Sequence, residues 1–237
     1  MKKCAVLVGL VLFVCFAGSG VADEIDVFIK QLTKGNSTQR LAAAKALGEK
    51  KDARAVIPLV TALKKDANWD VRLSAEDALV KIGSPSVEPL VQLLKEEKSC
   101  FVRRRSVRAV KEIKDPCAAE GLVKAAATDA DCCVRRFAAR GLADINDPKA
   151  SEFLDEEMMK KNLEIISGGY PYYIRRGVPG SEDILVEALK ECFYNKKMVS
   201  DFACCGNEKL KQGADEIAKK RGYAIPSDWS GPKWGEI

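Results

Sequence analysis

A chain of 237 residues, 47% hydrophobic and 31% charged with a net charge of +5, can bury one sizeable core, and its interspersed charges of both signs exclude disorder throughout. Histidine is absent, which excludes Ser-His-Asp and Cys-His catalysis, histidine-ligated zinc and Cys-x-x-Cys-His haem attachment. Aromatic residues are only 7%, so the apolar content is mostly small and aliphatic, as closely packed helices require.

Residues 1–22 have the layout of an export signal. Lys2 and Lys3 make a positive start, an apolar run extends from Ala5 to Ala17, and Gly18-Ser19-Gly20-Val21-Ala22 supplies small residues for cleavage after Ala22. The expected location is therefore periplasmic or secreted. The alternative is an uncleaved membrane anchor, since Ala5 to Ala22 is 18 residues, the lower limit for a spanning helix. Lipidation at Cys15 fits poorly, because bulky Phe13 and Val14 precede it. Cleavage removes two lysines and no acids, leaving +3, which by itself implies no polyanionic partner and argues against nucleic acid.

Residues 23–36 read as a capping helix, with Ile25, Phe28, Ile29 and Leu32 on one face. A repeat then occupies residues 37–161. Arg40, Arg72, Arg103 and Arg135 are spaced by 32, 31 and 32 residues. Six and seven residues after each comes a small-then-apolar pair: Ala46-Leu47, Ala78-Leu79, Ala109-Val110 and Gly141-Leu142. Around each arginine the apolar positions have helical spacing, as in Val71, Ala75, Ala78, Leu79 and Ile82. Breakers follow at Gly83-Ser84-Pro85, Asp115-Pro116 and Asp147-Pro148, and open a second helix with its own stripe, such as Val87, Leu90, Val91 and Leu94. Each unit of about 31 residues is thus helix, turn, helix. It can bury its stripes only by stacking on its neighbours.

Past residue 161 the period fails. Residues 162–224 are expected to form a helical cap that closes the stack, with turns or loops at Ser167-Gly168-Gly169-Tyr170-Pro171 and at Gly177–Gly180, then three helices capped or ended by Ser181, Asn207 and Gly222. Residues 225–237 read as an extended tail whose Trp229 and Trp234 fold back onto the last helices. A free, partner-binding tail is the other reading.

The pattern Val-Arg-x-x-Ala-x-x-Ala-Leu, a Gly or Asp-Pro turn, then Val-x-Pro-Leu-Val-x-x-Leu resembles the HEAT-like repeat of bacterial proteins, the type named for phycobilisome lyases. The resemblance covers about residues 37 to 160. It implies an all-α solenoid of stacked helix pairs, an armadillo-like superhelix, and a binding scaffold for a protein or peptide, monomeric and without catalysis of its own. A lyase-like or thiol-dependent activity is the alternative, because lyase members of the family attach bilins to cysteines. Those members act in the cytosol, whereas this chain starts with an export signal. Iron-dependent hydroxylases with similar repeats hold their metal with His-Glu pairs, which this sequence lacks. No cofactor or metal is expected.

Two residue sets are candidates for contact. Arg72, Arg103 and Arg135 share one repeat position, and Arg104, Arg105 and Arg136 thicken the same edge. The in-register arginines are expected to pair with acids or carbonyls of neighbouring units, and the extra ones to form a basic strip. Trp69, with Cys100 and Cys132 at its repeat position, either fills the junction between units or is an exposed contact residue. The cysteines beyond the signal are seven in number, with vicinal pairs at Cys132-Cys133 and Cys204-Cys205 and no Cys-x-x-Cys. They are expected to be mostly buried thiols, with Cys192 and either Cys204 or Cys205 as the one candidate disulfide.

Overall fold

The computed structural model describes residues 23–145, 147–191 and 195–237. The expected export segment with its cleavage point at Ala22, and Cys192 with its candidate disulfide, lie outside the described residues. Among those described, the chain forms thirteen α-helices and no strand. No helix among them is long and apolar enough to cross a membrane.

The first ten helices alternate between two layers. One layer holds α2 (Ser37–Lys50), α4 (Trp69–Ile82), α6 (Cys100–Ile113), α8 (Cys132–Asp144) and α10 (Leu163–Arg176). The other holds α1 (Glu24–Lys34), α3 (Val56–Lys65), α5 (Val87–Glu96), α7 (Ala119–Thr128) and α9 (Pro148–Met159). Short polar side chains cap the start of several of these helices. Asn36 forms a capping box with Gln39, and Asn68, Asp131, Asp147 and Asn162 each accept a first-turn amide. The helix-to-helix turn needs a residue of positive φ eleven positions after the repeat arginine, filled by Lys51 (53°), Gly83 (81°) and Lys114 (58°).

The core is one continuous seam between the layers. Leu47, Leu79, Val110 and Leu142 come from the first layer, and Leu59, Leu90, Leu122 and Leu154 from the second; all eight are fully buried. The repeat in the sequence is therefore a repeat of core positions, each leucine sitting above its equivalent in the next unit.

The C-terminal part departs from expectation at one element. The stretch Ser167–Pro171 is not a turn but the middle of α10, with Pro171 inside the helix. Packing overrides local propensity here. Gly168 lets the α10 backbone press onto α8, where a Cβ would lie 2.5 Å from the carbonyl oxygen of Arg136. Tyr170, Tyr172 and Tyr173 are buried along the same helix, and their hydroxyls donate to Asp201 (2.6 Å), Asp155 (2.9 Å) and the Leu154 carbonyl (2.7 Å). Because α10 lies on α8 as α8 lies on α6, the stack extends one helix beyond the sequence period.

Three helices finish the chain: α11 (Glu182–Glu191), α12 (Lys196–Cys204) and α13 (Glu208–Arg221). The tail folds back over them. Trp234 N–H donates to the Cys205 carbonyl (2.9 Å), Gly235 N–H to Ile174 (2.9 Å) and Ile237 N–H to Arg175 (3.2 Å).

Candidate functional site

The in-register arginines make a ladder at one end of the first layer. Arg40 donates to the Gly35 carbonyl (3.0 Å), Arg72 to Asp66 (2.5 Å), Arg103 to Glu97 (3.0 Å) and Arg135 to Asp129 (2.7 Å). Each thus satisfies a backbone carbonyl just past the preceding second-layer helix. Three also grip a carboxylate with two parallel bonds: Arg40 on Asp66 (2.7 and 2.8 Å), Arg103 on Asp129 (2.8 and 2.9 Å) and Arg135 on Glu164 (both 2.8 Å). Arg72 lacks that grip: the acid at the equivalent position, Glu97, pairs with Lys64 instead (2.7 Å). The Arg40 guanidinium holds the Asp66 carboxyl below its usual range. Arg72, Arg103 and Arg135, three of the six candidate arginines, are thereby committed to holding units together.

The added arginines differ among themselves. Arg104 forms a bidentate pair with Asp131 (2.9 and 2.5 Å), whose carboxylate also caps α8. Arg105 reaches back to Glu76 on α4 (2.8 Å), a carboxylate 6% exposed. Burial raises the Glu76 carboxyl above its ordinary value and the bond from Arg105 opposes that rise. Arg136 makes no ion pair among the described residues and faces a groove.

Trp69 begins α4 and is 47% exposed. It packs across the junction between units and leaves about half of its surface in solvent. Its ring lies 4.7 Å from that of Phe101, tilted by 40°, and the Arg105 guanidinium sits 4.8 Å from the Trp69 centroid and 5.3 Å from that of Phe101. Arg108, with half its side chain exposed, stands 3.7 Å from Glu76 beside them. The result is a patch in which Trp69 and Arg108 face solvent over a half-buried Phe101 and a largely covered Arg105, fixed on helices by a buried carboxylate. Phe101 and Glu76 escaped the sequence reading. The available signal was register, since Phe101 follows the Trp69 equivalent by one residue.

The thiols correct a further expectation. Among the described residues, Cys100, Cys117 and Cys132 are exposed, Cys133 and Cys204 are half-buried, and only Cys205 is buried. Cys100 and Cys132 occupy the first residue of α6 and α8, outside the seam that the later turns bury. Burial pushes the Cys133 and Cys205 thiols up, and the hydrogen bond with Asp115 raises Cys117.

Comparison with known proteins follows this geometry. The family model described as HEAT repeats matches residues 25–111 and 87–165. No curated relative matches the chain. Among solved structures, the complex of CpcE and CpcF of phycocyanin lyase from Nostoc sp. PCC7120 is similar at 21% identity and a TM-score of 0.42, covering 70% of this chain and 99% of that one. A designed armadillo repeat protein in complex with the peptide (KR)4 is similar at 19% identity and a TM-score of 0.41, covering 85% and 100%.

Proposed function

The chain belongs to the HEAT-repeat family, and we propose that it is an exported monomeric scaffold that holds a protein or peptide partner and catalyses no reaction itself. The observation that carries this reading is the patch of Trp69, Phe101, Arg105 and Arg108. Tryptophan and arginine are prominent in the energetics of protein interfaces, and here both stand pre-ordered on a rigid layer. The cations favour a partner segment that joins acidic to apolar side chains. Among the described residues, Arg104, Arg105 and the ladder arginines are engaged internally, so the partner meets chiefly Trp69, Phe101 and Arg108.

The export part of the proposal rests on the pattern of residues 1–22. Protein recovered from a bacterial periplasm should have the mass of a chain starting at Asp23; retention of residues 1–22 would replace export with anchoring. The thiol-dependent alternative draws little from Cys133, since burial pushes its thiol up, away from the thiolate form.

A photo-crosslinking amino acid placed at position 69, and separately at Gln92 on the opposite layer, tests the docking face. Crosslinked partner is expected at 69 and not at 92, and adding Arg108→Glu to the chain with the crosslinker at 69 should sharply reduce it. Arg104 and Arg105 are poor choices for that test, because reversing either charge would break an ion pair that holds the fold. Equal crosslinking at both positions would sink the proposal.

A further inference from the structure

A separate feature lies further along the first layer, where α8, α10 and α12 meet. A groove of about 370 Å³ opens there, at the small end of the size range of ligand pockets. Lys111, Arg136, Arg140 and Lys197 line it, and no carboxylate does. Three of these cations have acids outside the lining: Lys111 pairs with Glu112, Arg140 approaches Asp144 at 3.7 Å, and Lys197 reaches Asp201 at 3.0 Å. Arg136, half-buried, has none among the described residues. The positive end of α12 adds to the same field at the rim, where Asn195 caps the helix.

The rest of the lining mixes Cys133, Ser167, Gly168 and Asn195 with two rings, the half-buried Phe137 and the buried Tyr170 behind it. The Arg140 guanidinium stacks 4.9 Å from the Tyr170 centroid, so one arginine is held in place by its ring while the other is free to turn towards a ligand. Tyr170 is itself pinned by Asp201. A pocket that combines fixed cations, one guanidinium without an ion pair and the exposed part of the Phe137 ring matches a ligand with one anionic group on a flat apolar body. Inorganic phosphate would use the cations and leave Phe137 wet; a neutral aromatic would do the reverse.

We infer that this groove binds a small organic anion of that class, an aryl carboxylate or sulfonate. The site shares no residue with the patch of Trp69, Phe101, Arg105 and Arg108, so the two proposals stand or fall separately.

The test is titration of the full mature chain with 8-anilinonaphthalene-1-sulfonate, followed by fluorescence, with competition by 2-naphthoate, 2-naphthylmethanol and inorganic phosphate. One saturable site is expected, displaced by naphthoate, and at least about ten-fold less so by the neutral alcohol or by phosphate. Arg136→Gln should weaken binding by about ten-fold or more, as loss of a charge-assisted bond does, while Trp69→Ala binds as the parent does. Because Arg136 makes no ion pair, its replacement is not expected to disturb folding, which circular dichroism checks. A second readout is alkylation by iodoacetamide resolved by peptide: naphthoate should slow modification of Cys133, on the groove wall, and leave exposed Cys117 unaffected. Unchanged binding by Arg136→Gln, equal competition by the alcohol or by phosphate, or no protection of Cys133 would each overturn the inference.

Discussion

Asp201 is fully buried, and three groups from separate parts of the chain converge on it: the Tyr170 hydroxyl of α10 at 2.6 Å, the Trp229 indole N–H of the tail at 2.8 Å and the Lys197 ammonium of its own helix at 3.0 Å. Removing this acceptor strands one buried hydroxyl and one indole donor. Asp201→Ala should therefore cost about 2–4 kcal/mol, read as a lower urea midpoint by tryptophan fluorescence, with Asp201→Asn milder; an unmoved midpoint would show that these bonds hold nothing together. The acids that face arginines set a pH dependence of opposite sense to Glu76. The bonds from Arg104 to Asp131 and from Arg40 to Asp66 keep both carboxyls below their ordinary value of 3.8. Their stabilisation is complete above that value and is lost as pH falls through the lower folded-state values. Asp131→Asn should flatten the acid limb of a stability-against-pH curve below about pH 4, and an unaltered limb would contradict the assignment. Glu76, raised by burial above 4.5, instead withdraws stability as pH climbs from 4.5 through its folded-state value.

At the level of elements, α10 shows how tertiary contact rewrites a local signal. Ser-Gly-Gly-Tyr-Pro carries every mark of a turn, and in isolation it would form one. In the chain, the glycine that weakens the helix is the one that lets it approach α8, and three buried tyrosines repay the lost propensity. Gly168→Ala should cost about 1–3 kcal/mol, because its Cβ would meet the Arg136 carbonyl oxygen at 2.5 Å and backbone cannot give way cheaply. Gly83→Ala provides the contrast. Nothing lies within 4 Å of its Cβ, and its cost comes from a φ of 81° with ψ of −138°, a region open to glycine alone. A thermal scan of the two variants should show both destabilised, and a structure of each should show displacement of α8 against α10 only for Gly168→Ala. Displacement in the Gly83 variant would mean that the turn is held by packing after all.

For the whole molecule, stability is shared between neighbours, since each unit buries its stripes against the next and, among the described residues, the extensive helix contacts are between neighbours along the stack. A cavity in the first unit should therefore loosen that end and leave the far end intact. Leu47→Ala should cost about 2–5 kcal/mol, seen as faster amide exchange in α1 to α3, while exchange in α12 and α13 and the environment of Trp229 hold. Uniform loss of protection along the chain would show a single cooperative unit instead. The same independence explains why the docking patch and the groove can be tested apart.

The sequence alone determined the all-α stack of repeated helix pairs, the core leucines and the repeat arginines, because a solenoid writes its contacts into a period and each unit meets the same neighbour in the same way. It also held the register by which Arg104 and Arg136, or Arg108 and Arg140, occupy equivalent places. Only the tertiary structure decided what those equivalents do. Arg104 finds Asp131 and Arg136 finds a groove, because the acid partner comes from another helix with no fixed spacing in sequence. The exposure of Trp69 beside Phe101, the continuation of the stack through α10 and the gathering of Tyr170, Trp229 and Lys197 on Asp201 were equally invisible beforehand. Each depends on a surface formed where the period has stopped or where side chains from different units meet, and a one-dimensional pattern carries no record of either.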